Sequence, residues 1–418
     1  MFNSITSKHR LLKMVPIYFY GIMPLLFIVS LFFHKFAAIY VGVFALGLFL
    51  MARNHVRTHL LEIITSIPVR IMILFWLWSG VTLLWTLNFG NGIATWIKFF
   101  AMMILAILNF ASVPHLKENQ IKPIFYFILV SLMGIIAYYF LSMNSDQLGY
   151  QKPLAYFLAL LFFPTLLFFG TTRNLWIKGS LVIFWILAIV VMKISTATSG
   201  CIGFVLGSLI FVLRLYRPYL ITQILKVIVF VWTLATPLFM LIFNAPYKFL
   251  PYFHSIGTSL FARFCIWSFV THKFFERPLL GWGLGSAKKF PGSDDLFFNN
   301  LTKEQLSLFD FIGPEIKEYV LSFKNLLLHP HNNALQVFLE LGILGGVLYA
   351  LFLASIFQVF MRVFKDKVTL ATANAMAVLT LVIFNMSHSI WHMWLLAWIV
   401  ISYTLLYAAH HYREMCSK

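Results

Sequence analysis

Leu328-His-Pro-His-Asn-Asn-Ala-Leu-Gln-Val-Phe-Leu-Glu-Leu-Gly342 decides how this chain reads, because here a polar segment runs directly into an apolar helix of membrane length that carries a carboxylate. Two histidines, two amides and Glu340 thereby stand where water meets lipid. An ionisable side chain at the centre of a membrane helix costs about 2.5–3.5 kcal/mol on insertion scales, so such groups point to function.

The rest of the chain supplies the lipid-borne setting. Hydrophobic residues make up 61% and charged residues 11% of 418 positions, whereas a soluble domain carries roughly a quarter charged residues. The composition excludes a soluble globular domain and predicts an all-α polytopic membrane protein. A bilayer core needs about 20 apolar residues per helix, and the runs 14–33, 36–51, 67–87, 92–113, 122–141, 154–170, 175–192, 200–212, 221–243, 332–361, 368–385 and 390–410 give about 12 transmembrane helices. The run 200–212 is short for a span. One large loop, 244–331, separates the ninth run from the tenth, dividing the chain into 1–243, 244–331 and 332–418.

A net charge of +18 suggests nucleic acid until the cations are placed along the chain. They fall in alternate connections: Lys8, Arg10 and Lys13; Arg53 and Arg57; Lys117 and Lys122; Arg173 and Lys178; Arg214 and Arg217; Arg362, Lys365 and Lys367; Arg413 and Lys418. Cytoplasmic loops collect Lys and Arg, so no nucleic-acid partner is expected, both termini read as cytoplasmic and the large loop as external. The basic start followed by 14–33 has no small-residue cleavage site and leads straight into another apolar run, which favours a first span over a cleaved signal. Cys201, Cys265 and Cys416 are too scattered for a disulfide framework or a metal motif.

Within the loop, 259–275 is helix-like and aromatic, with Leu260, Phe264, Trp267, Ser268 and Thr271 on one side, the pattern of a helix lying along a membrane interface. Pro278 ends it, and Gly281-Trp-Gly-Leu-Gly285 makes a turn with no strand–helix unit around it, so it is no dinucleotide fingerprint. Further on, Pro330 and Asn332-Asn333 predict a helix start. His331 then sits at the positive end of a long helix, where imidazolium is disfavoured and a neutral, proton-accepting ring is kept. The same helix end favours an anion.

Asn333, Gln336 and Glu340 share one helix face at i, i+3 and i+7. They form either a hydrogen-bonded packing seam or a substrate contact. His329 reads as an interfacial residue or a site residue. A metal site built from His329, His331, His388 and His392 is a third possibility, although no Cys or carboxylate stands at diagnostic spacing. Of the cations in and after the loop helix, Lys288 and Lys289 suit lipid headgroups as well as substrate. Arg263, set among Phe, Ala and Trp, needs an anionic partner and has the fork geometry to grip phosphate.

These blocks together resemble the O-antigen ligase and O-antigen polymerase superfamily of bacterial envelope glycan transferases. The resemblance rests on Arg263-Phe-Cys-Ile-Trp267, Glu276-Arg-Pro-Leu-Leu-Gly-Trp-Gly-Leu-Gly285 and His329-Pro-His-Asn-Asn-Ala-Leu-Gln-Val-Phe-Leu-Glu-Leu-Gly-Ile-Leu-Gly345, in the family's order around its large loop. It implies that His331 is catalytic and that Arg263 grips a lipid-linked pyrophosphate. Family members often carry an Arg after a Ser at the outer start of an earlier helix; here that stretch is Ser195-Thr-Ala-Thr-Ser-Gly200, and Lys193 is the candidate substitute. The expected substrate-binding set is therefore Arg263, Lys193, Lys288, Lys289, His329, Asn332, Gln336, Glu340 and His392, with no metal and no cofactor.

The implied reaction moves a glycan from undecaprenyl pyrophosphate to a sugar hydroxyl of lipid A–core at the periplasmic face of the bacterial inner membrane. An O-antigen polymerase on the same carrier is the near alternative. A small-solute transporter, which would gather its polar groups on broken helices at the bilayer midplane, is the remote one.

Overall fold

The computed structural model describes residues 36–52, 56–142, 152–170, 174–243, 253–296 and 329–417, the backbone alone for 253–258, and isolated positions elsewhere. The apolar run 14–33, with Lys8, Arg10, Lys13, Arg53, Arg173 and most of 297–328, lies outside the described residues. Thirteen α-helices follow one another within them: α1 (Ala37–Ala52), α2 (Val56–Ile64), α3 (Ile67–Val81), α4 (Phe89–Ser112), α5 (Glu118–Leu141), α6 (Lys152–Phe169), α7 (Leu175–Ile194), α8 (Thr198–Tyr216), α9 (Pro218–Phe239), α10 (Phe253–Glu276), α11 (Asn333–Val363), α12 (Lys367–Met386) and α13 (Met393–Ser417). Among the described residues there is one isolated bridge, Leu296 with Lys324, and no strand.

Ten helical stretches are long and apolar enough to cross a membrane, and Ala37–Met51 is a shorter apolar helix. Each matches one of the predicted runs from 36 onward. The run 200–212 was cut short by its polar flanks; Thr198–Tyr216 shows that the helix takes in those flanks and reaches 19 residues. Ends are set by local chemistry. Asn88, Asn332 and Asp366 each accept a backbone N–H of the first turn through the side chain, capping α4, α11 and α12.

The helices sort by what surrounds them. In α6, 83% of the apolar window is buried, against 28% in α7 and α9, so α6 runs through the middle of the bundle and the others line its rim. On α9 the side chains of Val227, Ile228, Val231 and Leu238 are exposed. In lipid that exposure carries no hydrophobic cost, because the solvent is itself hydrocarbon. α8 and α12 approach closely through small residues: a Cβ on Gly207 would stand 2.7 Å from the Ala375 carbonyl oxygen and one on Gly203 3.1 Å from that of Leu379.

The helix expected as one continuous span over 332–361 is broken. Gly342 has φ 67° and ψ −167°, so α11 consists of a short segment before it and a long one after it. A break inside a membrane helix must have its freed backbone groups satisfied by protein. The glycine turn does this: Trp282 N–H donates to Leu339 O at 2.9 Å, Gly283 N–H to Glu340 O at 2.8 Å, and Ile343 N–H to Pro278 O at 2.8 Å. The Trp78 indole adds a bond to Leu341 O at 2.8 Å. The loop is thus keyed into the bundle. α10 lies over the first segment of α11, burying Phe264, Trp267, Val270, Leu335 and Leu339 in one apolar cluster.

Candidate active site

The connections 86–88, 195–197 and 387–392, the start of α6 and the loop all meet at one end of the bundle. His331 is held there at three points. Its backbone has φ 55°, a left-handed conformation costing a non-glycine residue about 1–2 kcal/mol. The surroundings impose it: the His331 N–H donates to His329 Nδ1 at 3.2 Å, and the Trp267 indole donates to the preceding carbonyl, Pro330 O, at 2.9 Å. The ring is then fixed by its Nδ1, 2.9 Å from the Ser387 carbonyl oxygen. A carbonyl only accepts, so Nδ1 carries the proton and Nε2 keeps its lone pair.

Burial lowers the basicity of His331; the bond to Ser387 opposes this, and the Arg263 guanidinium lowers it further. His329 is pushed lower still, first by burial and then by His331, His392, His388 and Lys288. Both shifts favour the neutral ring, with desolvation the largest cause in each.

Arg263, on α10, is partly buried. Its Nη1 touches Ser259 O at 3.2 Å and Ser259 Oγ at 3.1 Å, while its Nε is buried without a hydrogen-bond partner among the described residues. The Arg263 guanidinium stands near enough to His331 to lower its basicity. No carboxylate pairs with it in the described residues. A guanidinium so placed has donors to offer an anion.

Asn332 is occupied as the α11 cap, its Oδ1 accepting from Leu335 N at 3.0 Å. Gln336 and Glu340 bond to each other at 3.3 Å, and Glu340 also receives the Trp391 indole N–H at 2.7 Å and the Ala287 N–H at 3.4 Å. Those contacts tie α11, the segment that follows the glycine turn and the α12–α13 connection together. Lys288 is exposed and donates to Asn91 Oδ1 at 3.0 Å; Lys289 is exposed beside it. Lys193 is exposed at the end of α7. The rings of His329 and His331 lie 4.2 Å apart, His329 and His392 5.0 Å, and His388 and His392 5.5 Å. Yet no group of three or more His, Cys, Asp or Glu among the described residues has the geometry to hold a metal ion.

Residues 158–350 match the family model described as O-Antigen ligase. This segment belongs to the O-antigen ligase family. The match takes in Lys193, Arg263, the glycine turn, His329, His331, Gln336 and Glu340. Among curated relatives, one from Rickettsia typhi named "Putative polysaccharide ligase" is 26% identical over 351 residues, covering 81% of this chain and 80% of the relative. One of the same description from Rickettsia conorii is 24% identical over 351 residues, covering 80% and 79%. A third, from Rickettsia bellii, is 28% identical over 233 residues, covering 54% and 51%.

Sequence reasoning missed Tyr156, Ser199 and Ser387. Tyr156 sits in an apolar run and reads as core, and Ser199 stands out only as part of Ser195-Thr-Ala-Thr-Ser-Gly200, where no Arg follows a Ser. Ser387-His388-Ser389 was the available signal, a polar tripeptide between two spans.

Proposed function

We propose that this chain, whose residues 158–350 match the O-antigen ligase family, is an inverting glycan transferase. It moves a saccharide from undecaprenyl pyrophosphate to a sugar hydroxyl of lipid A–core, at the periplasmic face of the inner membrane. The observation that carries the reading is His331: a half-buried imidazole with its Nδ1 proton committed to a carbonyl and its basicity lowered by burial and by Arg263.

His331 Nε2 takes the proton of the acceptor hydroxyl as that oxygen bonds to the anomeric carbon. The bond from that carbon to the pyrophosphate oxygen breaks with its electron pair on the leaving group. Arg263 takes that charge, with Lys288, Lys289 or Lys193 as further cations near the carrier. A single displacement inverts the anomeric centre, and pyrophosphate leaves without protonation, so no second acid is required. His329 braces His331, His392 packs against His329, and Asn332, Gln336 and Glu340 hold the helix that presents them. Substrate contact by any of these five is a refinement of the same proposal.

His331→Ala is expected to lower transfer by about 10²–10⁴-fold with normal amounts of protein in the membrane. The check is a lipopolysaccharide gel of a disrupted strain complemented with the variant. Near-normal glycan attachment would remove His331 as the base. Disruption is expected to leave bare core and carrier-linked polymer; core capped by a single unit would instead identify a polymerase. Transfer is also expected to continue in chelator, and loss with rescue by a divalent ion would favour the four-histidine metal reading. The break at Gly342 is the feature a transporter would use, but the Leu339, Glu340 and Leu341 carbonyls it exposes already accept protein donors.

A further inference from the structure

Ser387 is the C-cap of α12, its N–H closing the last turn of the helix, and every polar group it has is engaged. Its N–H donates to Ile383 O at 3.0 Å, its carbonyl receives His331 Nδ1, and its hydroxyl joins a ring with two others. The Tyr156 hydroxyl lies 2.9 Å from Ser199 Oγ and donates to Ser387 Oγ at 3.4 Å, and Ser199 Oγ is hydrogen-bonded to Ser387 Oγ. Three hydroxyls have three protons to give. Tyr156 donating to Ser387, Ser387 to Ser199 and Ser199 to Tyr156 closes the circuit with each group donating once and accepting once.

The ring of Tyr156 is itself wedged. It meets the ring of His388 edge-on at 5.0 Å, and a Cβ at Gly200 would come within 2.8 Å of it. Tyr156 and Ser199 belong to α6 and α8, so the circuit joins two helices of the bundle to the short connection that orients the imidazole.

We propose that Tyr156 and Ser199 are positioning residues that, through the Ser387 hydroxyl, hold the Ser387 carbonyl against His331 Nδ1 and so keep Nε2 as the proton acceptor. The proposal rests on the reading of His331 as base for its catalytic consequence, though not for its structural one. Without the circuit, the connection after α12 keeps its backbone anchors but loses the tether that fixes the carbonyl's direction. The imidazole can then rotate or exchange tautomer, and a share of molecules presents an N–H to the acceptor hydroxyl.

The test uses the full chain in lipid bilayers with 15N-labelled histidine, the His331 signals being those that vanish in His331→Gln. In the unmodified protein Nδ1 is expected at a protonated shift and Nε2 at an unprotonated one. Tyr156→Phe keeps the wedged ring and removes only the hydroxyl. It is expected to move both signals toward averaged values and to lower kcat by about 10–100-fold with KM unchanged within about twofold. Ser199→Ala is expected to do the same, and serves if Tyr156→Phe is poorly folded. Unchanged 15N signals in both variants would overturn the proposal, whether or not kcat falls. If His331→Ala remained active while the signals behaved as expected, the base assignment would fail and the positioning role would stand.

Discussion

At the scale of single residues, His331 and Arg263 are coupled through space, and the coupling makes a signed prediction. His331 must be unprotonated to accept a proton, so transfer falls as pH drops through its pKa. Burial and Arg263 both place that pKa below the ordinary 6.5. The acidic limb of kcat/KM is accordingly expected below pH 6.5. In Arg263→Gln the nearby cation is gone, so the limb should move to higher pH while the rate itself falls by about 10²–10³-fold with loss of charge stabilisation. A pH–rate profile on membranes or proteoliposomes checks this, and a limb that stays put in the variant would show that the two side chains do not communicate.

At the scale of elements, the docking of the loop on the broken helix matters most. Trp282 and Gly283 replace the ladder partners that α11 loses at Gly342, and Glu340 fastens the same turn from the side-chain direction. An alanine at position 342 would be forced into a φ/ψ region essentially reserved for glycine, at about 1–3 kcal/mol, and would collide with the Leu279 carbonyl. Gly342→Ala is therefore expected to reduce the yield of monodisperse, detergent-extracted protein and to lower its unfolding temperature. Size-exclusion profiles and thermal melts give the answer; a variant as stable as the parent would mean the turn is not locked to the break. The sequence gives no sign of a positive φ at Gly342, because an apolar helix reads the same with or without one residue out of register.

For the molecule as a whole, the site lies at the loop end, and the cations Arg57, Lys117, Lys178, Arg217, Lys365 and Arg413 belong to connections at the other. Positive charge stays cytoplasmic, so the orientation can be tested with a thiol already present. Cys416 is exposed at the charge-rich end, whereas Cys265 is buried. A membrane-impermeant maleimide is expected to label Cys416 only after the inner membrane is permeabilised. Labelling of Cys416 in intact spheroplasts, read in a Cys201→Ser variant because Cys201 is half-buried near the site, would invert the topology and move the site away from periplasmic acceptors.

How much was legible followed from range. Helix positions from 36 onward, the amphipathic loop helix, the Asn332 cap and the placement of His331 could all be read along the chain, because hydropathy, capping and charge bias act over a turn or a span. The partners of those residues could not. Ser387 is 56 positions from His331 in the chain and Tyr156 is 231 from Ser387; nothing local marks a hydroxyl in an apolar run as one corner of a polar circuit. Likewise the sequence offers Glu340 no partner, because Trp391 and Ala287, which bond to it, stand 51 and 53 positions away. The chain by itself determined that it spans a membrane many times and which helix end presents an imidazole. Only tertiary packing decided which nitrogen of that imidazole is free, because the deciding carbonyl arrives from another helix.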